Sequence, residues 1–378
     1  MRIELRGLNT TNKGAELMLH SIIQYLSNKK DLSFVVDHTT GTYLERAKLG
    51  LHQKLYLPKL GVRGNAISGK LIPQKLRKRY GLIPIDEIDV IIDASGFAYS
   101  DQWGTIPVKN AAEYFEYQKQ RNKKVILMPQ AFGPFKNEET KKYMKKLLSN
   151  VDLVFARDLV SYENLKELEV KTNNIVLSPD FTVLLKYDDK DDFKHLIGKG
   201  CIVPNYRMID KMSELEKKNY IDYLVSITNF LTKNQKNEFF YLIHDKGKDL
   251  ELAKEILSRV DQKFEIVEEN NPLLIKSIIS NSKFTIGSRF HGLVSALSNG
   301  VPSLGIGWSH KYRMLFEDYE VSQYVIDINK DLHSNQQIFQ KFLSEIEKKD
   351  LQKKLIIQSQ KQKEKTKAMW NKVENLIF

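Results

Sequence analysis

The sequence predicts an α/β protein of two doubly wound domains, each a parallel sheet wrapped by helices, with strand ends facing a central cleft. Three observations carry this. Short apolar runs alternate with helix-period segments along nearly the whole chain, which is the β-α-β-α rhythm of a parallel sheet. The rhythm breaks once, in the charged stretch LLKYDDKDDFKHLIGKG at 184–200. The length of 378 residues exceeds what one ordinary core holds. The expected domains are therefore 1–183 and 201–334, joined by a linker at 184–200. Charged helices from 335 to 378 are expected to cross back and brace the first domain.

In chain order, the first-domain strands are read at Arg2–Leu5, Ser33–Asp37, Asp89–Asp93, Lys124–Met128 and Leu153–Ala156. Helices are read at Ala15–Leu26, Asn110–Arg121, Glu138–Leu148 and Leu159–Leu168, from apolar residues recurring at helical spacing. A second series opens with Cys201–Pro204, a helix at Lys211–Leu231, Phe239–Ile243 and a helix at Leu250–Arg259. It continues through the apolar runs Phe264–Val267, Pro272–Ile279, Phe284–Ile286 and Pro302–Ile306. From about His333 the chain reads as charged helix.

Composition excludes several classes. No apolar run approaches the roughly 18 to 20 residues that span a bilayer, and the first residues lack a continuous apolar leader segment. A single cysteine, Cys201, forms no internal disulfide and no thiolate metal cluster. The eight histidines show no paired spacing with carboxylates, so no metal site is expected. These features read as cytoplasmic. The net charge of +12 favours anionic partners. It concentrates at 59–82, where Lys and Arg alternate with apolar residues, and in the Lys-rich tail 348–378. Each stretch reads as a solvated helix face or loop. The first also fits a peripheral contact with an anionic membrane surface, at the inner face of the membrane. No nucleic-acid-binding module is present, so nucleic acid is not an expected partner.

Ligands of open α/β sheets bind outside the carboxyl ends of the strands, so the strand-to-helix turns hold the candidate chemistry. In NTTNKGAELML, Asn12 and Gly14 precede a helix, as an N-cap or as a close backbone approach to a ligand. VIIDASGFAYSDQWG runs a buried strand into Asp93, Ser95 and Gly96. VILMPQAFGPF places Gln130 at a strand end, to position a ligand or close a turn. Arg157 follows another strand; it either pairs with Asp158 or Asp180 or binds an anion. The turn GSRFHG sets Ser288, Arg289, His291 and Gly292 between a strand and a helix, and GIGWSHKYRM adds Trp308, His310 and Lys311. Arg157, Arg289 and Lys311, with helix N-termini, suit a small anion of several charges.

Taken in order along residues 7 to 318, these motifs resemble the polysaccharide pyruvyl transferase family. Asn12-Lys13-Gly14-Ala15-Glu16 resembles its N-x-G-A-E turn, and Asp93 to Asp101 its Gly-rich loop. Pro129-Gln130 to Gly133-Pro134 resembles its P-Q-x-x-G-P loop. Arg157-Asp158 with Ser161 resembles its R-D-x-x-S segment. Ser288-Arg289-Phe290-His291-Gly292, followed by Gly300-Val301-Pro302, resembles its most distinctive stretch, and Lys311 stands where a late Lys is expected. Two departures stand out. Ser95-Gly96 replaces the usual paired glycines, and Trp308-Ser309-His310 replaces an acidic or tyrosine-bearing pattern.

The resemblance implies a GT-B-like pair of Rossmann-type domains and phosphoenolpyruvate as co-substrate, with no other cofactor. The acceptor would be a sugar or a lipid-linked oligosaccharide. The product would be a pyruvate ketal on two sugar hydroxyls, with phosphate released. Arg157, Arg289 and Lys311 would then hold the donor's anions, aided by Ser288 and Gly292. His291 would act as general acid, and the base stays open between His291 and Asp93. Acceptor or loop roles fall to Asn12, Gly14, Ser95, Gly96, Gln130, Trp308 and His310. Two rivals share the pattern. One is a GT-B glycosyltransferase using a nucleotide sugar, with Glu317 or Asp318 on the ribose. The other is a non-catalytic basic scaffold at the membrane.

Overall fold

The structure is a computed structural model. It describes residues 1–378 apart from 58–60, 62, 63, 66–68, 70, 171–173, 188–190, 211, 235–237, 245, 246, 308 and 309. The chain forms two compact units, Met1–Leu185 with Lys365–Phe378, and Lys186–Glu364.

Unit 1 holds an eight-stranded sheet of β1 (Arg2–Arg6), β2 (Ser33–Val36), β3 (His52–Leu55), β4 (Leu82–Pro84), β5 (Val90–Asp93), β6 (Lys124–Gln130), β7 (Leu153–Ala156) and β8 (Ile175–Leu177). All pairs are parallel, in the order β4-β3-β2-β1-β5-β6-β7-β8. The helices are α1 (Lys13–Leu26), α2 (Tyr43–Lys48), α3 (Gln74–Tyr80), α4 (Thr105–Lys119), α5 (Glu138–Leu148) and α6 (Leu159–Lys166). The chain steps outward from β1 to β4, then returns beside β1 with β5. The direction of winding therefore reverses between β1 and β5. Strands covered on both faces read as near-continuous apolar runs. Accordingly Leu127 joins one core cluster, while its neighbours Ile126 and Met128 join the cluster on the other face. Trp370, near the end of the last helix, is fully buried in that second cluster. Its ring stacks on Tyr25 at 4.1 Å between centroids and meets Phe181 edge-on at 6.2 Å.

Unit 2 holds β9 (Gly200–Val203), β10 (Phe239–Ile243), β11 (Glu265–Glu268), β12 (Phe284–Gly287), β13 (Ser303–Ile306) and β14 (Val325–Ile326), all parallel, in the order β11-β10-β9-β12-β13-β14. Its winding reverses between β9 and β12. The helices are α7 (Tyr206–Ile209), α8 (Glu214–Asn234), α9 (Lys248–Ser258), α10 (Pro272–Ser280), α11 (Phe290–Leu297), α12 (His310–Asp318), α13 (Leu332–Glu347) and α14 (Asp350–Ile377). The last fourteen residues of the chain, including the end of α14, count with unit 1. The stretch 186–200 counts with unit 2, and Leu196 within it is core.

Several elements differ from the sequence reading. The apolar run at 272–279 is helix α10; Asn271 caps it by accepting from Leu273 N at 2.9 Å, and Pro272 occupies its first position. Strands β3, β4, β8 and β14 escaped the reading because they are two to four residues long, too short for an apolar run to stand out. In β3 the inward position is Lys54, 4% exposed and bonded to Glu4, where an apolar residue was the expected marker. The helix expected from Lys211 begins at Glu214, and residue 211 lies outside the described residues. So does part of the basic segment 59–82.

Candidate active site

In unit 1 the turns after β1 and β5 touch. Gly7 has φ +72°, and a Cβ there would lie 2.1 Å from Ser95 Oγ, so the approach requires glycine. Asp93 ends β5 with 1% of its side chain exposed. Its Oδ1 accepts from Ser95 Oγ at 2.8 Å, Ser95 N at 3.2 Å and Gln130 Nε2 at 3.4 Å. Its Oδ2 accepts from Tyr99 OH at 2.9 Å and faces Arg6 Nε at 3.5 Å. Ser95, which stands where paired glycines were expected, therefore anchors the loop through its hydroxyl. Gly96 follows with φ +70°.

The sequence reading missed Arg6, at the end of β1. It lies between Glu4 (3.6 Å) and Asp93, with its guanidinium carbon 4.6 Å from the Tyr114 ring centre. Burial opposes the charge of Arg6, but Glu4 and Asp93 more than offset this and raise its pKa. Burial, reinforced by Asp93, pushes the Tyr99 phenol far above its ordinary range. The alternation that puts Glu4 and Arg6 on one face of β1 was the available signal, since charged residues inside a central strand are unusual.

The other unit 1 candidates lie on neighbouring turns. Asn12 caps α1, accepting from Gly14 N at 3.0 Å, and its own N–H is held by Asn9 Oδ1 at 2.7 Å. Arg157 follows β7 with its side chain 6% exposed, and pairs with Asp180 at 3.5 Å. Asp158 instead caps α6 by accepting from Ser161 N at 2.7 Å. Ser161 Oγ accepts from Phe132 N at 3.0 Å, which fixes the loop after Gln130.

In unit 2 the turns at the reversal point are also tied together. The fully buried Ser288 follows β12. Its carbonyl accepts from Asn205 Nδ2 at 2.8 Å and Tyr312 OH at 2.9 Å, and its hydroxyl lies 2.6 Å from Tyr220 OH. Burial pushes the Tyr220 phenol up to about 12. Arg289 is the N-cap residue of α11 and supplies no side-chain cap. The amide groups of the first turn and the helix dipole thus add positive character there. Arg289 Nη2 donates to Asp249 Oδ2. Asp249 is completely buried, and its Oδ1 accepts from Tyr206 N at 2.8 Å.

His291 stands in the first turn of α11, half-buried, with its ring edge-on to Phe290 at 5.4 Å. A Cβ on Gly292 would lie 3.5 Å from Arg289 Cβ and 3.8 Å from His244 Cε1, so His244 borders the same turn. Lys311, in α12, has Nζ 5.6 Å from the Phe290 ring centre and 5.3 Å from that of Tyr312. His310 opens α12, and Trp308 lies outside the described residues. Ser288, Arg289, His291, Gly292 and Lys311 are thus gathered around one turn. Asp93, Ser95, Gly96 and Gln130 are gathered around another. Asp249 and His244 were missed: Asp249 reads locally as an ordinary acidic residue in the first turn of α9. Among the described residues, no three His, Cys, Asp or Glu side chains gather as a metal ion would require.

Doubly wound parallel sheets with cations and imidazoles on strand-end turns define an α/β protein. Solved structures of similar shape narrow the fold. UDP-GlcNAc 2-epimerase from Neisseria meningitidis bound to UDP-GlcNAc matches with TM-score 0.61 at 12% identity, over 99% of this chain and 100% of that one. Phytolacca americana UGT2, complexed with UDP-2-fluoro-glucose and pterostilbene, matches with TM-score 0.56 at 10% identity, over 99% of both chains. UDP-GlcNAc 2-epimerase from Methanocaldococcus jannaschii matches with TM-score 0.55 at 13% identity, over 90% of this chain and 92% of that one. At these identities the likeness shows the fold alone, which is GT-B-like with two Rossmann-type domains. None of the curated proteins matches the sequence. The sequence model of the polysaccharide pyruvyl transferase family matches residues 12–310, and the chain belongs to that family.

Proposed function

We propose that the protein transfers pyruvate from phosphoenolpyruvate to two hydroxyls of a sugar, in a polysaccharide or its lipid-linked precursor, forming a ketal and releasing phosphate. The observation that carries this reading is the α11 turn inside the family match. There an arginine, an imidazole and a helix N-terminus without a side-chain cap stand within three residues. Phosphoenolpyruvate carries a carboxylate and a phosphate on three carbons, and Arg289, Lys311 and the first amides of α11 supply matching positive charge.

The chemistry proceeds in balanced steps. His291 gives a proton to the methylene carbon, and the cation formed at the central carbon is attacked by one sugar hydroxyl. Loss of phosphate from that adduct, helped by the cations, regenerates the cation, and the second hydroxyl closes the ketal. One proton enters carbon and two leave oxygen; the second leaves with phosphate. The first hydroxyl proton needs a base. Asp93 is almost wholly buried and already accepts from Ser95, Tyr99 and Gln130. This favours His291, which is neutral once it has protonated carbon.

A second reading, glycosyl transfer from a nucleotide sugar, draws on the UDP and UDP-sugars held by similar structures. One experiment separates them: phosphate release from phosphoenolpyruvate across a panel of galactose, glucose and mannosamine acceptors, for wild type and His291→Ala. Acceptor-dependent release lost in the variant is expected. Thermal stabilisation by a nucleotide sugar, with none by phosphoenolpyruvate, would overturn the proposal.

A further inference from the structure

We infer that the edge of unit 1 carrying α2 and α3 docks on an anionic phospholipid bilayer. The observations are independent of catalysis. Large apolar side chains stand exposed there: Tyr43 and Leu44 of α2 at 68% and 61%, and Leu76 and Tyr80 of α3 at 46% and 54%. Helix α3 buries none of its residues, although helices in proteins owe most of their stability to a packed face. Leu76 and Tyr80 lie one turn apart, as do Lys75 and Arg79, so an apolar stripe runs beside a basic one. Of the four cations of α3, Arg77 is committed to Glu87, while Lys75, Lys78 and Arg79 are exposed.

The two helices flank a cavity of about 230 Å³ lined by Tyr43, Arg46, His52, Gln53, Arg79 and Tyr80, among others. No carboxylate lines it. The surface is therefore complementary to anions.

The mixture selects a lipid surface over an acidic protein. Protein interfaces deplete lysine and concentrate their apolar residues centrally. Here lysines intersperse with isolated leucines and tyrosines. In a headgroup layer, Lys and Arg meet lipid phosphate while Leu and Tyr enter the acyl boundary. Among the described residues no helix is long and apolar enough to cross a membrane, so this contact is peripheral.

The test is co-sedimentation of the full chain, without substrate, with vesicles of phosphatidylcholine alone or mixed with phosphatidylglycerol. Wild type is expected to bind the mixed vesicles, less so as salt rises. Each cation near an anionic surface adds about fivefold to partition, so Lys75→Gln, Lys78→Gln and Arg79→Gln together should lower binding by about a hundredfold. Leu44→Ser with Leu76→Ser should weaken it while leaving the charge intact. All five side chains are exposed, so melting curves should match wild type. Equal binding to neutral vesicles, no binding to mixed ones at low salt, or undiminished binding by the triple variant would each overturn the inference. None of these outcomes depends on the donor or acceptor of the reaction.

Discussion

Asp249→Asn tests whether the buried carboxylate presents Arg289 to the donor or merely neutralises it. Asp249 is completely buried and bridges Tyr206 N and Arg289 Nη2. The asparagine keeps one oxygen, enough for the Tyr206 bond, but leaves a guanidinium that is 15% exposed without its countercharge. Breaking such a pair from one side costs about 3 to 5 kcal/mol where burial is complete. With Arg289 able to reach water, a loss of about 2 kcal/mol in unit 2 is expected. The effect on binding is more discriminating. A guanidinium has five N–H donors, so one given to Asp249 fixes the plane while the others face a ligand. Losing that orientation should weaken phosphoenolpyruvate binding about tenfold, which corresponds to about 1.4 kcal/mol. If Asp249 instead competes with the ligand anion, the variant should bind phosphoenolpyruvate more tightly. Titration calorimetry of the free enzyme, with no acceptor, reads the sign directly. Binding equal to or tighter than wild type would refute the presenting role.

Two further outcomes follow from unit 1. Trp370→Ala removes a fully buried indole stacked on Tyr25, so unit 1 should lose about 3 to 5 kcal/mol by urea titration followed by circular dichroism; a loss below 1 kcal/mol would show that the end of α14 contributes little to that core. Burial, and secondarily Lys13, lowers the pKa of His20 below its ordinary value, so the unfolded chain takes up a proton as pH falls through about 6.5 while the folded chain resists it. Stability should therefore decline from pH 7.5 to 5.5 and decline less in His20→Gln; identical slopes would remove this group from the account.

The fold was legible wherever burial on both faces forces continuous apolar runs. β7 and α5 fall at the residues the sequence reading gave, because Leu153–Ala156 is wholly buried and Glu138–Leu148 begins at an Asn cap. Legibility failed at sheet edges. There a strand of three residues pairs with one neighbour and is too short for its apolar residues to stand out, as with β4 and β8. It failed also in β3, where an ion pair replaces the apolar signal at Lys54. At the site, the turn 287–292 was conspicuous because glycines flank a cation and an imidazole. Its partner Asp249 lies 40 residues away and looks locally like a helix-dipole acid. Asp180 and Asp158 were the carboxylates expected near Arg157; the structure pairs Arg157 with Asp180 at 3.5 Å, and Asp158 caps α6. Arg6 was passed over because it is the last residue of β1 and belongs to none of the turn motifs.

The start of helix α11 differs from the capped starts of several other helices in this protein. Helices α1, α5, α6, α7 and α10 begin at Asn12, Asn137, Asp158, Asn205 and Asn271, each accepting a backbone N–H. Such caps stabilise a helix by about 1 kcal/mol. Helices α3, α4 and α9 begin at Pro73, Gly104 and Gly247 without a side-chain cap, and so does α11, where the capping position holds a cation, Arg289. A cation at that end also opposes the helix dipole, at most a few tenths to about 1 kcal/mol, which the pairing of Arg289 with Asp249 reduces. Folding alone would favour Asn or Asp there. The preceding residue is well held: Ser288 is bonded by Asn205, Tyr220 and Tyr312, so a loose turn is not the reason. Both penalties change sign if an anion sits at the first turn, accepting from the amides and from Arg289 together. A local rule broken inside a well-ordered scaffold is where function is tested first, and an anion is the ligand that would offset this one.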